Sequence, residues 1–309
     1  MSARGLAFLL IILCTLFWGI GGPAIKYSFQ FVSPFEFLFW RFLLVSIISF
    51  PILIWYLRTN PLSVSDLPKL LTLSFFGTFL NLALVFLGLE RTTVVETAII
   101  GSLQPMFVAV AGAIFLKESL TRSKLFGIIL AISGTVVAVI NPIINGGFGQ
   151  GNFLGNLLVL LSILSWICFI MLSKKWESPK IKPFHITSFS FFVGLISFFI
   201  LSSTVSGISQ TLTFPTQAFP YIAYMAIFGS LLAFTLYEYA LTKLEAAEVE
   251  IFGYLSPLWS IPIAILWLKE QFDPILIVSA ILIITGIVIA ERKERLKKHL
   301  RGHHFVHHK

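Results

Sequence analysis

The chain has 309 residues, of which 57% are hydrophobic and only 12% are charged. Soluble domains carry about 25% charged residues, so this composition excludes a water-soluble globular protein. The formal charge of +8 does not indicate nucleic-acid binding, because the basic residues are spread over many loops rather than gathered on one surface. Apolar runs of roughly twenty residues recur along the whole length, and they predict an all-α integral membrane protein.

Charge clusters, prolines and turn-forming segments divide the chain into ten predicted membrane spans. The first apolar run, 6–25, exceeds the about 7–15 residues of a signal-peptide core and has no cleavage site after it, so it is predicted to remain as a span. At the start of the second run, Ser33-Pro34 with Glu36 is typical of an N-cap, a first-turn proline and a capping box. The spans are predicted near 6–25, 34–57, 68–89, 93–115, 122–140, 153–173, 184–204, 218–241, 245–268 and 274–290.

The distribution of Lys and Arg predicts which way the spans run. Ten spans place both termini on one side, and 18 of the 22 Lys and Arg lie at the termini or in loops after even-numbered spans. The opposite loops hold only Lys26, Arg91 and Lys269. Because positive residues are enriched in cytoplasmic loops, both termini are predicted to be cytoplasmic, in the cell membrane. The basic, His-rich tail 292–309 is predicted to be a cytoplasmic anchor at the lipid surface.

The chain contains an internal repeat. Shifted by 152 residues, 77–139 matches 229–291 without a gap, with 18 identities in 63 positions. Shared apolarity does not explain matched glycines, prolines and Lys-Glu pairs. The matches include Gly101/Gly253, Pro105/Pro257 and Lys117-Glu118/Lys269-Glu270, and further upstream Trp18 and Lys26 align with Trp166 and Lys174 at an offset of 148.

The repeat predicts two five-span units, 1–145 and 146–291, followed by the tail. Because five is odd, units joined head to tail lie in opposite orientations across the bilayer. Inverted repeats are the architecture of alternating-access transporters, with a substrate site near the midplane between the halves. The predicted fold is therefore ten transmembrane helices arranged as two inverted five-helix repeats.

The order of these features resembles the drug/metabolite transporter superfamily, in its ten-span EamA-type branch. The resemblance covers nearly the whole chain and implies an exporter or exchanger of small metabolites such as amino acids, purines, sugars or sugar-nucleotides. Such sequences often carry Glu before the proline of spans four and nine, where this chain has Gln104 and Ser256, which leaves open whether a carboxylate there couples to protons. The residues that carry the resemblance are Trp18-Gly19, Lys26, Arg41-Phe42, Pro105, Lys117-Glu118, Pro257 and Lys269-Glu270.

Arg41 lies about 10 Å along the second predicted span, at seven residues from its start. An arginine near the middle of a bilayer costs at least about 2.5–3.5 kcal/mol on insertion scales, so it should face the protein interior or water. It is a candidate counter-ion for an anionic group of a substrate. The alternative is a structural ion pair with Glu36 or Glu96.

Two carboxylates also lie inside predicted spans. Glu238 lies about one turn from the cytoplasmic end of span eight. It is either a site for a substrate amine or a proton, or a carboxylate that reaches the membrane interface or pairs with Lys243.

Glu250 shares a helix face with Tyr254 and Pro257, at the spacing i, i+4 and i+7. It lies deeper in its span than Glu245 and Glu248, which are more typical of helix-dipole partners, and it is a second carboxylate candidate for the substrate site.

Uncharged polar residues and aromatics complete the predicted site. Gln104 and Ser256 precede the two repeat-related prolines, which remove helix hydrogen bonds inside spans. Freed carbonyls are tolerated where helices line a cavity, so both residues are cavity candidates, against ordinary packing at a kink. Asn81, in the middle of span three, either faces the cavity or joins helices. The aromatic candidates are Trp18, Trp166, Tyr254 and Trp259, against plain core or lipid packing.

The main hypothesis is a secondary transporter that moves a small polar, amino-acid-like metabolite by alternating access, with export as the favoured direction. One rival, an antiporter for a phosphorylated or nucleotide-linked solute, needs a cluster of cavity Lys and Arg, and the sequence offers only Arg41. An intramembrane enzyme, the second rival, needs a paired nucleophile and base or an in-span metal set, and the sequence has neither.

The predicted partners are a small-molecule substrate, the lipid bilayer, and protons or a counter-substrate. No cofactor, metal or nucleic acid is expected. Glycines in spans five and ten allow close helix packing, so a homodimer through these spans is a further candidate. These glycines are Gly127, Gly134 and Gly286.

Overall fold

The fold is a bundle of helices, and no β-strand occurs among the described residues. The computed structural model describes residues 3–115, 122, 125–127, 129–130, 132–134, 136–137, 151–176, 181–244, 246–270, 274–275, 277–286 and 288–289. The pair Lys117-Glu118 and the tail 292–309 lie outside them.

Spans one and two are continuous helices, Ala3–Ser28 and Pro34–Thr59. The predicted start of the second is confirmed: the Ser33 hydroxyl accepts a hydrogen bond from the Glu36 N–H at 3.4 Å, and the Glu36 carboxylate accepts one from the Ser33 N–H at 3.3 Å. This reciprocal capping satisfies two helix N–H groups that have no partner within the helix. Spans six and seven are also continuous, Gly151–Lys175 and Pro183–Ser206, and a short helix, Ile208–Leu212, follows span seven.

The remaining described spans are interrupted helices. Spans three and eight each contain a π-helical stretch, and spans four and nine each break just before the repeat-related proline, whose ring lacks an N–H and excludes the carbonyl four residues back. The interruptions occur at equivalent places in the two halves. Span three comprises Val64–Asp66, Leu67–Ser74, the π stretch Phe75–Leu80 and Asn81–Arg91; span four, Val94–Gly101 and Gln104–Phe115; span eight, Phe219–Tyr224, the π stretch Met225–Leu232 and Ala233–Lys243; span nine, Ala246–Ile251, the 3₁₀ turn Phe252–Leu255 and Ser256–Trp267.

The packing of the spans follows the duplication. Span one packs against spans eight and nine, and span six packs against spans three and four, the equivalent pairs. Spans three and six approach closely at Gly88 and Gly155. A Cβ added to either glycine would lie 2.9 Å from the main-chain oxygen of the other glycine. Spans two and seven pack along each other, and each also contacts spans three and eight.

Each half contains one lysine that links its first span to the end of its third span, and the two lysines occupy equivalent positions. Each lies at the end of the first helix of its half and donates to main-chain carbonyls where the third span ends, since these carbonyls have no partner within their helix. The acceptors are themselves related by the offset of 152. Lys26 Nζ donates to the oxygens of Leu89 (2.7 Å) and Thr92 (2.7 Å), and Lys174 Nζ donates to those of Leu241 and Leu244 (2.8 Å).

The surface is that of a membrane protein. Seven of the described helices are long and apolar enough to cross a membrane, and shorter apolar helices run at Leu125–Gly134, Ser256–Trp267 and Ile277–Gly286. Large apolar side chains such as Phe115 and Leu266 are mostly exposed, as lipid-facing residues are. The protein is therefore a multi-pass membrane protein, and the count of ten spans stays a prediction.

Gly134, one of the glycines predicted to support a homodimer, packs within the chain. A Cβ added there would lie 2.8 Å from the Ser279 oxygen and 2.9 Å from Leu282 Cβ. The close approach at this position therefore joins spans five and ten of one molecule. The predicted homodimer stays a prediction.

Candidate functional site: a central cavity between the halves

A cavity of about 310 Å³ lies between the two halves. Its walls come from both, since spans one to four and spans six, eight and nine all contribute side chains. Seven of the ten residues predicted for the substrate site line it: Trp18, Arg41, Asn81, Gln104, Trp166, Glu250 and Ser256.

The interrupted helices bring polar groups to this cavity. Gln104 and Pro105 line it from the first half, and Ser256 and Pro257 line it from the second. The two breaks lie close to each other, because a Cβ added at Gly253 would be 3.8 Å from Pro105 Cγ. Non-helical backbone is tolerated at membrane depth where it lines a cavity, and this is where both breaks occur.

Arg41 is buried in the cavity wall without an acidic partner. Only 1% of its surface is exposed. Its Nε donates to Ser230 Oγ at 2.7 Å and its Nη2 donates to the Gly229 oxygen at 3.2 Å. Among the described residues no carboxylate forms an ion pair with it.

The two carboxylates considered as structural partners of Arg41 are engaged elsewhere. Glu36 caps its own helix at Ser33. Glu96 is buried and accepts a hydrogen bond from the Thr92 hydroxyl. The guanidinium of Arg41 therefore keeps its charge available to the cavity.

Glu250 is the carboxylate of the cavity and is 3% exposed. Gln104 Nε2 donates to its Oε2 at 2.7 Å, and the Tyr237 hydroxyl donates to its Oε1. Gln104 comes from the first half, so the side chain that holds this carboxylate crosses the boundary between the halves. Both donors are neutral, and they leave the negative charge of Glu250 uncompensated by any described cation.

Aromatic rings connect the two charged groups. The Trp18 ring meets the Trp166 ring edge-on at 6.0 Å between centroids, and both rings contact Tyr237, at 5.6 and 5.3 Å. Trp18 Nε1 donates to the Gly229 oxygen at 2.9 Å, the same carbonyl that Arg41 contacts. An aromatic lining thus runs from Arg41 to Glu250 through Trp18 and Tyr237, and Trp18 is the predicted member of it.

Asn81 combines both roles considered for it. Its Nδ2 donates to the Ser162 oxygen at 2.9 Å, which joins spans three and six. It also lines the cavity. The amide therefore joins two spans within the wall of the cavity.

Three predicted site residues are not brought to the cavity by the described structure. Glu238 is buried beside Ser173, whose hydroxyl donates to it at 3.4 Å, in a separate small pocket. Consecutive helix residues point about 100° apart, so Tyr237 faces the cavity and Glu238 does not. Trp259 is 37% exposed and packs against Gly19, and the side chain of Tyr254 lies outside what the structure describes.

Tyr237 and Ser230 are functional candidates that the sequence did not reveal as such. In the sequence, Tyr237 is a neighbour of Glu238, and Ser230 follows Gly229, which matches Gly77 at the offset of 152. Their contacts with Glu250 and Arg41 join residues that are 13 and 189 positions apart. The one local signal is that Gly77 recurs as Gly229 at the offset of 152, and each glycine lies in a π stretch.

A multi-pass helical protein with a buried, charged cavity between two similar halves is a membrane transporter. Comparison with protein families agrees: the model of the EamA-like transporter family matches twice, over residues 5–140 and 153–291. The chain belongs to the EamA-like transporter family. It is a transporter and not an enzyme.

Known relatives cover almost the full length. An uncharacterized transporter of Archaeoglobus fulgidus is 30% identical over 93% of this chain and 99% of its own. A probable amino-acid metabolite efflux pump of Escherichia coli is 26% identical over 91% of this chain and 93% of its own. A solved crystal structure, 16% identical, has a TM-score of 0.66 and covers 96% of this chain and 99% of its own, which supports the fold alone.

Proposed function

We propose that the protein is a secondary active transporter that exports a small zwitterionic metabolite of the amino-acid type across the cell membrane by alternating access. The observation that carries this proposal is the pair of buried opposite charges, Arg41 and Glu250, in the wall of one cavity. Neither has an oppositely charged partner among the described residues. A cavity of about 310 Å³ suits a small ligand, at the lower end of the about 300–1,000 Å³ of small-molecule sites.

A zwitterion offers what each group lacks. A buried charge without a partner costs several kcal/mol, and a bound carboxylate at Arg41 offsets that cost. A bound ammonium does the same at Glu250, while Trp18 and Trp166 enclose the apolar part. The rival substrate class, phosphorylated or nucleotide-linked solutes, calls for several cationic groups, and Arg41 is the only Lys or Arg among the described residues that line the cavity.

The mechanism and direction rest on further support. The two matches to the family model and the equivalent lysine contacts support a duplicated framework, which is the architecture of alternating-access transporters. The excess of Lys and Arg in loops after even-numbered spans favours cytoplasmic termini. Export is favoured by the E. coli relative, which is named as a probable efflux pump.

Efflux from proteoliposomes tests the proposal. Vesicles containing the purified protein are loaded with a mixture of amino acids, sugar phosphates and nucleotide sugars, and mass spectrometry follows what leaves. We expect one or a few amino acids to leave faster than from protein-free vesicles. Release of only phosphorylated solutes, or of nothing, contradicts the proposal.

A further inference from the structure

The π-helical stretch Met225–Leu232 of span eight supplies the acceptors that hold Arg41. A π turn widens the helix and leaves main-chain oxygens accessible to side chains, and such turns are frequent at functional sites. Here the Gly229 oxygen accepts from both Trp18 Nε1 and Arg41 Nη2. A Cβ at Gly229 would be in ordinary contact with Arg41 Nη2 at 3.8 Å, but it would have to displace the Met225 side chain, whose Cε would lie 2.4 Å away.

Ser230, the next residue, supplies the second hydrogen-bond acceptor for Arg41. Its side chain is fully buried, and its hydroxyl oxygen accepts from Arg41 Nε at 2.7 Å. The guanidinium is planar, so fixing Nε and Nη2 fixes the direction of the third nitrogen, Nη1. Nη1 has no acceptor among the described residues, although Arg41 lines the cavity.

The acceptors of Arg41 are neutral, and this matters for specificity. An aspartate or glutamate in place of Ser230 would compensate the charge and remove the reason to bind an anion. A hydroxyl and a carbonyl orient the group while leaving its charge for the ligand. Without the hydroxyl, a buried charged donor loses its partner and the guanidinium is free to rotate away from the cavity.

We infer that Ser230 is the positioning residue that aims Arg41 at the substrate carboxylate and so sets the preference of the cavity for carboxylates over carboxamides. This inference rests on the proposed function. Ser230 does not itself contact the substrate; it acts through Arg41.

The test compares transport of acids and amides by three variants. The twenty protein amino acids are offered singly to proteoliposomes, and each one that is transported is then compared with its carboxamide. Ser230→Ala should raise KM for the acid about tenfold, as expected for the loss of one hydrogen bond to a charged group, with the maximal rate within about twofold. KM for the carboxamide should stay unchanged, and Ser230→Thr, which keeps the hydroxyl, should behave as the wild type.

Ser46→Ala is the matched control. Ser46 is buried on the same helix as Arg41, and its hydroxyl has no hydrogen-bond partner within the described part of the chain, so its loss should leave both KM values unchanged. An equal rise in KM for acid and amide in Ser230→Ala, or no change in either, overturns the inference. If the wild type transports none of the twenty amino acids, the proposed function itself is overturned. Wild-type transport of an amino acid therefore distinguishes a failure of the Ser230 inference from a failure of the proposed function.

Discussion

Trp18 and Trp166 occupy equivalent positions in the two halves, but their indole N–H groups differ. Trp18 donates to the Gly229 oxygen at 2.9 Å. Trp166 is only 5% exposed, and its N–H forms no hydrogen bond of normal geometry among the described residues, although it lies near Glu250 and Tyr237. The counterpart of Gly229 at the offset of 152 is Gly77, and there the ring of Phe169 packs directly against the glycine.

The charges of the cavity show the same contrast. Glu250 corresponds to Ala98 at the offset of 152, and both residues line the cavity. The lysine contacts and the helix interruptions, in contrast, recur in both halves. The comparison teaches that the repeat accounts for the framework, while departures from the repeat account for the chemistry of the site.

Removing the cavity cation should have the largest effect. Arg41→Ala leaves a substrate carboxylate in a buried site without a partner, so we expect transport to fall at least about 100-fold, corresponding to about 3 kcal/mol. Initial efflux rates in proteoliposomes measure it. Arg91→Ala, at an exposed arginine, is the control and should retain the wild-type rate. Transport by Arg41→Ala within threefold of the wild type contradicts the assignment.

Removing the charge of the cavity carboxylate should come next. Glu250→Gln keeps the shape of the side chain but loses the attraction to an ammonium group, so KM should rise about 10- to 30-fold for amino acids. The rise should be much smaller for the corresponding deaminated acids. Glu238→Gln tests the other predicted carboxylate. Because Glu238 lies outside the cavity, we expect this variant to keep the wild-type preference for amino acids over deaminated acids. The reverse pattern would move the amine site to Glu238.

Removing Lys26 or Lys174 should destabilise the protein to a similar degree. Lys26→Met and Lys174→Met each lose charged hydrogen bonds to carbonyls at the end of a span, and we expect each to lower Tm by about 5 °C. Lys175→Met, beside Lys174 but exposed, should lower it by less than about 1 °C. Thermal unfolding in detergent measures all three. A large loss in only one of the two lysine variants would show that the contacts are not equivalent.

The smallest expected effect isolates the difference between the tryptophans. Trp18→Phe and Trp166→Phe remove the same atoms, but only the first removes a hydrogen bond of normal geometry. Trp18→Phe should therefore cost about 1 kcal/mol more in the free energy of unfolding than Trp166→Phe. Equal losses in thermal stability would mean that the hydrogen bond of Trp18 does not contribute to the free energy of unfolding.

Much of the framework was predictable because it depends on local or repeated signals. The capping box at Ser33 and Glu36 is a short-range pattern, and the lysines recur with the repeat. Arg41 and Glu250 could be predicted because charged groups inside an apolar span face a polar interior, and Gln104 could be predicted because it precedes a repeat-related proline.

The rest depends on geometry that composition does not carry. The π stretches of spans three and eight leave the apolar pattern unchanged, so the sequence predicts continuous helices there. One residue of rotation separates Tyr237, which faces the cavity, from Glu238, which does not. The contact of Ser230 with Arg41 joins two halves of the chain, and no local pattern specifies such a contact.

The most direct measurement is a structure of the protein with the transported amino acid bound. The account predicts the ligand in the central cavity, with its carboxylate within hydrogen-bonding distance of Arg41 Nη1 and its ammonium next to Glu250. A ligand bound outside this cavity, or bound in it with neither charged group near these two residues, would contradict the account.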